Sequence, residues 1–191
     1  MKVIEFFGMP RAGKTTGIET LETSLKHAGK RVRIICEGAR ICPIDKEDNR
    51  FNYHSWSFHN TINNLIEALQ MRFDYVLVDR GVLDHIAFIR ALEGTSQRAI
   101  DAEKYYSSFL GLQDKEVFFN LDPNLAIERE RVHKPILGRV FNTSFLNALQ
   151  QSYSGVIKEF TKRGRDIMLI DESQSYEENV NRVLRVLEGY S

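Results

Sequence analysis

The sequence has no excess of charge of either sign, because 26 basic residues balance 26 acidic ones over 191 residues. A formal net charge of zero argues against a protein that holds nucleic acid by bulk electrostatics, although it leaves room for a local basic patch. No apolar run approaches the roughly 18 residues that a membrane helix needs. The composition therefore disfavours nucleic-acid binding and membrane insertion.

Cysteine is scarce as well, with only Cys36 and Cys42 in the chain. Two cysteines cannot form a disulfide framework, and they cannot complete a zinc site alone. We interpret them as small, half-buried residues of a protein in the reducing cytosol. Met1 and Lys2 run directly into a candidate strand, so we expect no signal peptide and a cytoplasmic protein. Repeats, low-complexity tracts and linkers are also lacking, which predicts a single domain over residues 1–191.

The most informative feature that is present is the motif G-x-x-x-x-G-K-T at residues 8–15. An apolar candidate strand (3–7) precedes it and an amphipathic candidate helix (16–26) follows it, which is the context in which such a loop cradles phosphate. We expect Lys14 to reach the β- and γ-phosphates of a nucleotide and Thr15 to ligate Mg²⁺. An ordinary glycine turn is the alternative interpretation. Candidate nucleotide-binding residues are Gly8, Arg11, Ala12, Gly13, Lys14, Thr15 and Thr16.

Strand and helix patterns alternate along the chain, which predicts an α/β fold in three layers, with a five-stranded parallel sheet covered by helices on both faces. The candidate strands are 3–7, 32–36, 75–79, 117–121 and 167–171. The candidate helices are 16–26, 60–72, 82–93, 97–110, 124–133, 143–163 and 176–188.

Charged residues follow two of these strands at the edge where ligands bind in open α/β sheets. Asp79 ends an apolar strand and could hold Mg²⁺ opposite Thr15, although capping the next helix is an alternative role. Arg80 could bind the molecule that accepts a phosphoryl group from the nucleotide, here called the acceptor. It could also stabilise the phosphoryl group during transfer. Glu37 is a candidate general base, or a group that orients the acceptor. We predict catalytic roles for Lys14, Glu37, Asp79, Arg80 and Arg139.

Two segments are long for simple connections. Residues 38–60 form a predicted acceptor-side insertion whose aromatic residues could stack on an acceptor or anchor a helix on the core. Residues 129–142 carry clustered cations around Pro135 and Gly138 and form a predicted lid, in which Arg129 and Arg139 would contact phosphates. A solvated helix face is the alternative for that charge cluster.

These motifs together resemble the thymidylate kinase and deoxynucleoside kinase branch of P-loop kinases. The resemblance rests on Gly8–Thr16 (GMPRAGKTT), Asp79-Arg80-Gly81, Asp122-Pro123-x-x-Ala126-x-x-Arg129, and the tail from Leu169 to Glu178. It implies ATP and Mg²⁺ as cofactors, Arg80 at the acceptor's phosphate or 5′ end, and a lid from Arg129 to Arg139. It also implies a small-molecule acceptor and the possibility of a homodimer through the helix at 82–93.

The chain departs from that family at two positions. Pro10 stands where thymidylate kinases often place an acid, and Gly81 follows Asp79-Arg80 where those kinases carry an aromatic residue or histidine and deoxynucleoside kinases carry serine. The expected activity is transfer of the γ-phosphate of ATP to a nucleoside, a nucleoside monophosphate or a related acceptor such as nicotinamide riboside. The alternatives are a nucleotide-dependent regulatory switch or ATPase, and a 5′-polynucleotide kinase.

Overall fold

A computed structural model describes residues 1–45, 49–133, 142–170 and 176–188. The strands are β1 (Lys2–Gly8), β2 (Val32–Ile35), β3 (Tyr75–Asp79), β4 (Lys115–Phe119) and β5 (Ile167–Ile170). The helices are α1 (Lys14–His27), α2 (Arg50–Leu69), α3 (Val82–Glu93), α4 (Gln97–Ser107), α5 (Pro123–His133), α6 (Thr143–Lys162) and α7 (Tyr176–Glu188). Short 3-10 turns lie at Gly38–Arg40 and Leu110–Leu112.

The five strands form one parallel sheet in the order β2-β3-β1-β4-β5, which confirms the predicted fold class. In the register, Phe6 of β1 pairs with Asp79 of β3, and Gly8 of β1 pairs with Phe119 of β4. The ends of the three central strands therefore meet at one edge of the sheet. Because β1 lies in the middle, the loop that follows it is flanked by the ends of β3 and β4.

Apolar side chains of β1 alternate between the two faces of the sheet and divide the core. Ile4 and Phe6 pack with Leu21 of α1 and with α7 on one face. Phe7 packs with Tyr153 of α6 and with residues of α2 and α3 on the other face. The sheet is therefore the middle layer of three, with α1 and α7 on one side and α2 to α6 on the other.

The predicted start of the second helix was wrong, since α2 begins at Arg50 rather than at residue 60. Asn49 caps it, because its side chain accepts a hydrogen bond from the backbone N–H of Asn52. The aromatic residues of this segment obscure its helical period, because they do not all share one face: Phe51 and Phe58 are seven residues apart and lie on the same face, whereas Tyr53 lies on the other. The predicted insertion is thus helical from residue 50 onward, and its first turns stand beside the strand ends.

The predicted lid is described only at its two ends. Residues 129–133 form the last turn of α5, and Asn142 caps α6 by accepting a hydrogen bond from the N–H of Phe145. Residues 134–141, with Arg139 among them, lie outside the described residues. Within the described part of the chain, the helices are too short or too polar to cross a membrane.

Candidate active site

The loop between β1 and α1 has a backbone conformation that its glycines permit. Gly8 has φ 129° and Gly13 has φ 88°, values that favour glycine. A Cβ atom at Gly8 would collide with the carbonyl oxygen of Phe119, and the N–H of Met9 donates to that same oxygen at 3.1 Å. The loop is therefore pressed against the end of β4 and leads directly into the N-terminus of α1 at Lys14.

Lys14 is buried beneath this loop and donates hydrogen bonds to it. Its Nζ lies 2.9 Å from the carbonyl oxygen of Gly8 and 2.8 Å from that of Met9. Burial lowers the pKa of Lys14 to about 8, and the positive charge of Arg80 acts in the same direction. The lysine is thus held inside the loop, next to the position where the motif places phosphates.

Thr15 and Asp79 face each other where the end of β3 meets the start of α1. Thr15 Oγ1 donates to Asp79 Oδ2 at 3.0 Å. The other carboxylate oxygen, Asp79 Oδ1, is buried and has no hydrogen-bond partner among the described residues. Burial raises the pKa of Asp79, an effect that a bound cation would reverse.

The oxygen atoms of this pair are of the kind that Mg²⁺ prefers as ligands. Mg²⁺ is usually held by one or two protein oxygens together with waters and substrate phosphates, rather than by a cage of protein ligands. The described residues contain no group of three or more histidine, cysteine or acidic side chains that could hold a metal. A hydroxyl beside a carboxylate with an unpaired oxygen fits the predicted role of Thr15 and Asp79.

Arg80 stands between two carboxylates. Its Nη1 donates to Asp84 Oδ2 at 2.9 Å, and its Nε lies 2.9 Å from Glu37 Oε1. The Glu37 contact is an ion pair without hydrogen-bond alignment, so Glu37 is held less tightly than Asp84. Arg80 also has φ 67°, a left-handed conformation that costs a residue with a side chain about 1–2 kcal/mol. This backbone conformation occurs at the junction between β3 and α3.

Asp84 connects Arg80 to the phosphate loop. Asp84 Oδ1 accepts a hydrogen bond from the N–H of Gly8 at 3.2 Å and another from the hydroxyl of Tyr153 at 2.7 Å. Burial acts to raise the pKa of Asp84, but the nearby charges of Arg80 and Lys14 outweigh it and hold the pKa below its usual value. Asp84 is therefore ionised and fixes the first glycine of the loop.

A second buried carboxyl group fixes Asp84 in turn. Gly81 gives α3 no side-chain cap, and Glu5 of β1 replaces it: Glu5 Oε2 accepts the N–H of Leu83 at 3.1 Å and Glu5 Oε1 accepts that of Asp84 at 2.9 Å. A Cβ at Gly81 would lie 2.8 Å from Glu5 Oε2, too close for an ordinary contact. Burial raises the pKa of Glu5 to about 8.

On the α5 side, Arg11 pairs with an acidic residue of the helix that passes the loop. Its guanidinium forms an ion pair with Glu130, a residue of α5 that is itself buried. Arg129 reaches the same place, donating to the carbonyl oxygen of Arg11 at 3.2 Å. Two predicted nucleotide-binding arginines are therefore brought together where α5 passes the loop.

A cavity of about 730 Å³ opens in front of the loop. One wall carries predicted residues: Arg11, Gly13, Lys14, Thr15, Thr16, Glu37, Asp79, Arg80 and Arg129. Ala12, also predicted, packs against the core instead. The opposite wall comes from α2, α3 and α6, and its α2 part falls within the predicted acceptor-side insertion at 38–60. This wall includes Arg50, Tyr53, His54, Ser57, His85, Phe88 and Phe145.

Sequence reasoning missed several of these residues for a common reason. Tyr153 and His85 occupy ordinary core positions in helical patterns, and nothing in their spacing marks them. Glu5 gave one usable signal, since it is the only charged residue within the apolar run from Val3 to Phe7. A carboxylate in a strand buried on both faces requires partners, and here they are the backbone N–H groups of α3.

Comparison with solved structures identifies proteins of the same fold. Deoxyadenosine kinase from M. mycoides, with the products dCMP and a flexible dCDP bound, superimposes with a TM-score of 0.76 at 16% identity, over 98% of this chain and 99% of that one. The same enzyme with bound dATP gives a TM-score of 0.74 at 15% identity, over 98% and 100% of the two chains. The chain has the fold of these deoxynucleoside kinases. No family model and no curated protein sequence matches it.

Proposed function

We propose that this protein is an ATP-dependent nucleoside kinase, which transfers the γ-phosphate of ATP to a hydroxyl group of a nucleoside. The observation that carries the proposal is the position of Arg80 and Glu37, which form an ion pair on the cavity wall next to the phosphate loop. A cation and a carboxylate at this place suit the transfer of a phosphoryl group to a hydroxyl. The fold shared with M. mycoides deoxyadenosine kinase supports the same reaction class.

The charges around the cavity favour a hydroxyl acceptor over a phosphate. Arg80 is balanced by both Glu37 and Asp84, and Arg11 is balanced by Glu130. The Glu37 carboxylate, 26% exposed, would repel the phosphate of a nucleoside monophosphate. Arg50, on the opposite wall, is a cation that would favour binding of a nucleoside monophosphate. The test below therefore compares nucleosides with nucleoside monophosphates.

Each residue then has a defined task in the reaction. The acceptor oxygen forms a bond to the γ-phosphorus while the bond between that phosphorus and the β–γ bridging oxygen breaks, and ADP leaves. Glu37 orients the acceptor hydroxyl and takes up its proton. Lys14 and Arg80 stabilise the charge on the transferring group. Thr15 and Asp79 would hold Mg²⁺, which supplies further neutralisation of the triphosphate.

The test is ADP release from Mg·ATP in the presence of a panel of acceptors: deoxynucleosides, ribonucleosides, their 5′-monophosphates and nicotinamide riboside. We expect one or more nucleosides to stimulate release, with the phosphorylated nucleoside detected by mass spectrometry. Stimulation by monophosphates alone would contradict the hydroxyl acceptor but leave phosphoryl transfer standing. Slow ADP release that no acceptor raises would contradict the kinase and favour a regulatory ATPase.

A further inference from the structure

Arg11, in the phosphate loop, has an unusual backbone conformation for a residue with a side chain. Its φ is 62°, in the left-handed region, and Gly13 two positions later has φ 88°. Left-handed residues turn successive backbone N–H groups of a loop toward one side, which forms a concavity for anions. Glycine adopts this conformation freely, whereas arginine adopts it at a cost in free energy. The surrounding structure must therefore offset the strain at Arg11.

Two contacts from α5 hold Arg11, one at its side chain and one at its backbone. The guanidinium of Arg11 forms an ion pair with Glu130. The guanidinium of Arg129 donates a hydrogen bond to the carbonyl oxygen of Arg11 at 3.2 Å. Both ends of the strained residue are thus tied to the same helix.

Glu130 is the fixed partner in the ion pair. Its side chain is 3% exposed, against 35% for that of Arg11. Ala126 and Ile127, one turn earlier on α5, are buried in the core, so the face of the helix that carries Glu130 is anchored. A buried carboxylate must stay paired, because an unpaired buried charge is destabilising. The helix therefore constrains the loop, rather than the loop the helix.

We propose that Glu130 is a positioning residue for phosphate binding, which holds Arg11 in the left-handed conformation and contacts no phosphate itself. Without Glu130, the loop is free to relax at Arg11 before nucleotide binds. Part of the binding free energy of ATP must then restore the left-handed conformation. In this role Arg11 serves ATP through its backbone, while its guanidinium serves the loop. The inference rests on the proposed binding of ATP.

The first test compares the affinity for Mg·ATP of the wild-type protein with that of Glu130→Gln, measured with a fluorescent ATP analogue. We expect the Kd of the variant to rise about three- to tenfold, part of the cost of a left-handed residue with a side chain. Glu128→Gln is the matched control, because Glu128 lies on the same helix and is exposed. A folded Glu130→Gln protein that binds ATP like Glu128→Gln would overturn the inference.

Substitutions of Arg11 separate this role from a direct contact between its guanidinium and phosphate. Arg11→Gly and Arg11→Ala lose the same ion pair, but only alanine bears the strain of the left-handed conformation. Arg11→Ala should therefore bind Mg·ATP about three- to tenfold more weakly than Arg11→Gly. Equal Kd values would overturn the inference, because the loss of a phosphate contact would weaken both variants equally. This comparison does not depend on the folding of Glu130→Gln.

A double variant tests whether Glu130 acts through Arg11. Because glycine at position 11 has no strain to offset, adding Glu130→Gln to Arg11→Gly should change the Kd by less than about twofold. A loss as large as that of Glu130→Gln alone would assign Glu130 to the general stability of α5 and overturn the inference. Wild-type protein that binds no ATP would contradict the proposed function, and with it this inference.

Discussion

The two walls of the cavity are held in different ways. On the phosphate side, buried side chains from α1, α3 and α6 meet at one residue of the loop: Lys14 and Tyr153 both reach the Gly8 carbonyl, and Asp84 binds the Gly8 N–H. On the acceptor side, the polar contacts among the described residues are separate from one another: Tyr53 donates to the carbonyl oxygen of Ala39 at 2.9 Å, and His54 Nε2 lies 3.0 Å from the carbonyl oxygen of His85. The first wall is a network that converges on the loop, whereas the second is a lining with local contacts.

This difference matches two separate demands of the proposed reaction. Phosphoryl transfer requires fixed charges and fixed donors, because catalysis comes from positioning and electrostatic stabilisation. Acceptor choice depends on the shape and polarity of a pocket, which can vary without disturbing the phosphate side. Substitutions in the network should therefore lower kcat/KM for every acceptor by the same factor. Substitutions in the lining should lower kcat/KM for some acceptors more than for others.

The largest effect should follow from removing Lys14, the only buried lysine on the phosphate side among the described residues. Lys14→Ala should lower kcat/KM by about 10³-fold for every acceptor, because the transferring phosphoryl group loses a preorganised cation. Steady-state ADP release measures this. Lys26→Ala is the control, since Lys26 lies on the same helix, is exposed and pairs with Glu22. An unequal loss between acceptors would contradict the separation of the two walls.

The next largest effect should come from Glu37, at the boundary between the walls. Glu37→Gln should reduce kcat about 10²-fold, the usual size of general-base effects, with little change in the Kd for ATP. Glu103→Gln is the matched control, because Glu103 is 24% exposed against 26% for Glu37 and also pairs with an arginine, Arg90. An unchanged kcat would show that Glu37 lines the cavity without taking part in the reaction.

A smaller effect should appear in the pH dependence of ATP binding. Lys14 has a pKa of about 8 in the nucleotide-free protein, so raising the pH through 8 converts it to the neutral amine. ATP requires the charged form, and its Kd should increase by up to about tenfold per pH unit above 8. Fluorescence titrations at several pH values measure this. Lys14→Arg should bind with a flatter profile, because arginine stays charged, and an equally steep profile would contradict the assignment.

A separate effect should appear in stability rather than in activity or binding. Burial raises the pKa of Glu5 from 4.5 to about 8, so between these values the folded state retains a proton that the unfolded chain releases. The free energy of unfolding should therefore fall as the pH rises from 4.5 to 8, by at most about 1.4 kcal/mol per pH unit. Urea denaturation measures the slope. Glu5→Gln should flatten it, and an unchanged slope would show that another group is responsible.

The sequence predicted the fold, and the physical reason is locality. The motif at residues 8–15 and the apolar strands are contiguous signals, and parallel strands place their ends at one edge. The confirmed five-stranded parallel sheet follows from that pattern. Lys14, Thr15, Asp79 and Arg80 could be proposed as site residues because each follows directly from a strand or from the motif, and the structure places all four on the cavity wall.

The acceptor wall was predicted as a segment, residues 38–60, but not as a set of contacts between helices. His54, His85 and Phe88 come together only because α2 packs against α3, and the start of α2 at Arg50 was missed. The partners of Asp84 illustrate the same limit, since Gly8 and Tyr153 are 76 and 69 residues away in the chain. Contacts of that kind depend on tertiary packing, and they leave no regular spacing of residues in the sequence.

The close approach of Gly81 to Glu5 couples these positions in any redesign of the protein. A side chain at position 81 would meet the carboxyl group of Glu5, which is held in place by the backbone of α3, and the amide of Gln113. Replacing Gly81 by serine alone should therefore displace the cap of α3. An engineered variant with serine at position 81 would require smaller residues at positions 5 and 113 at the same time.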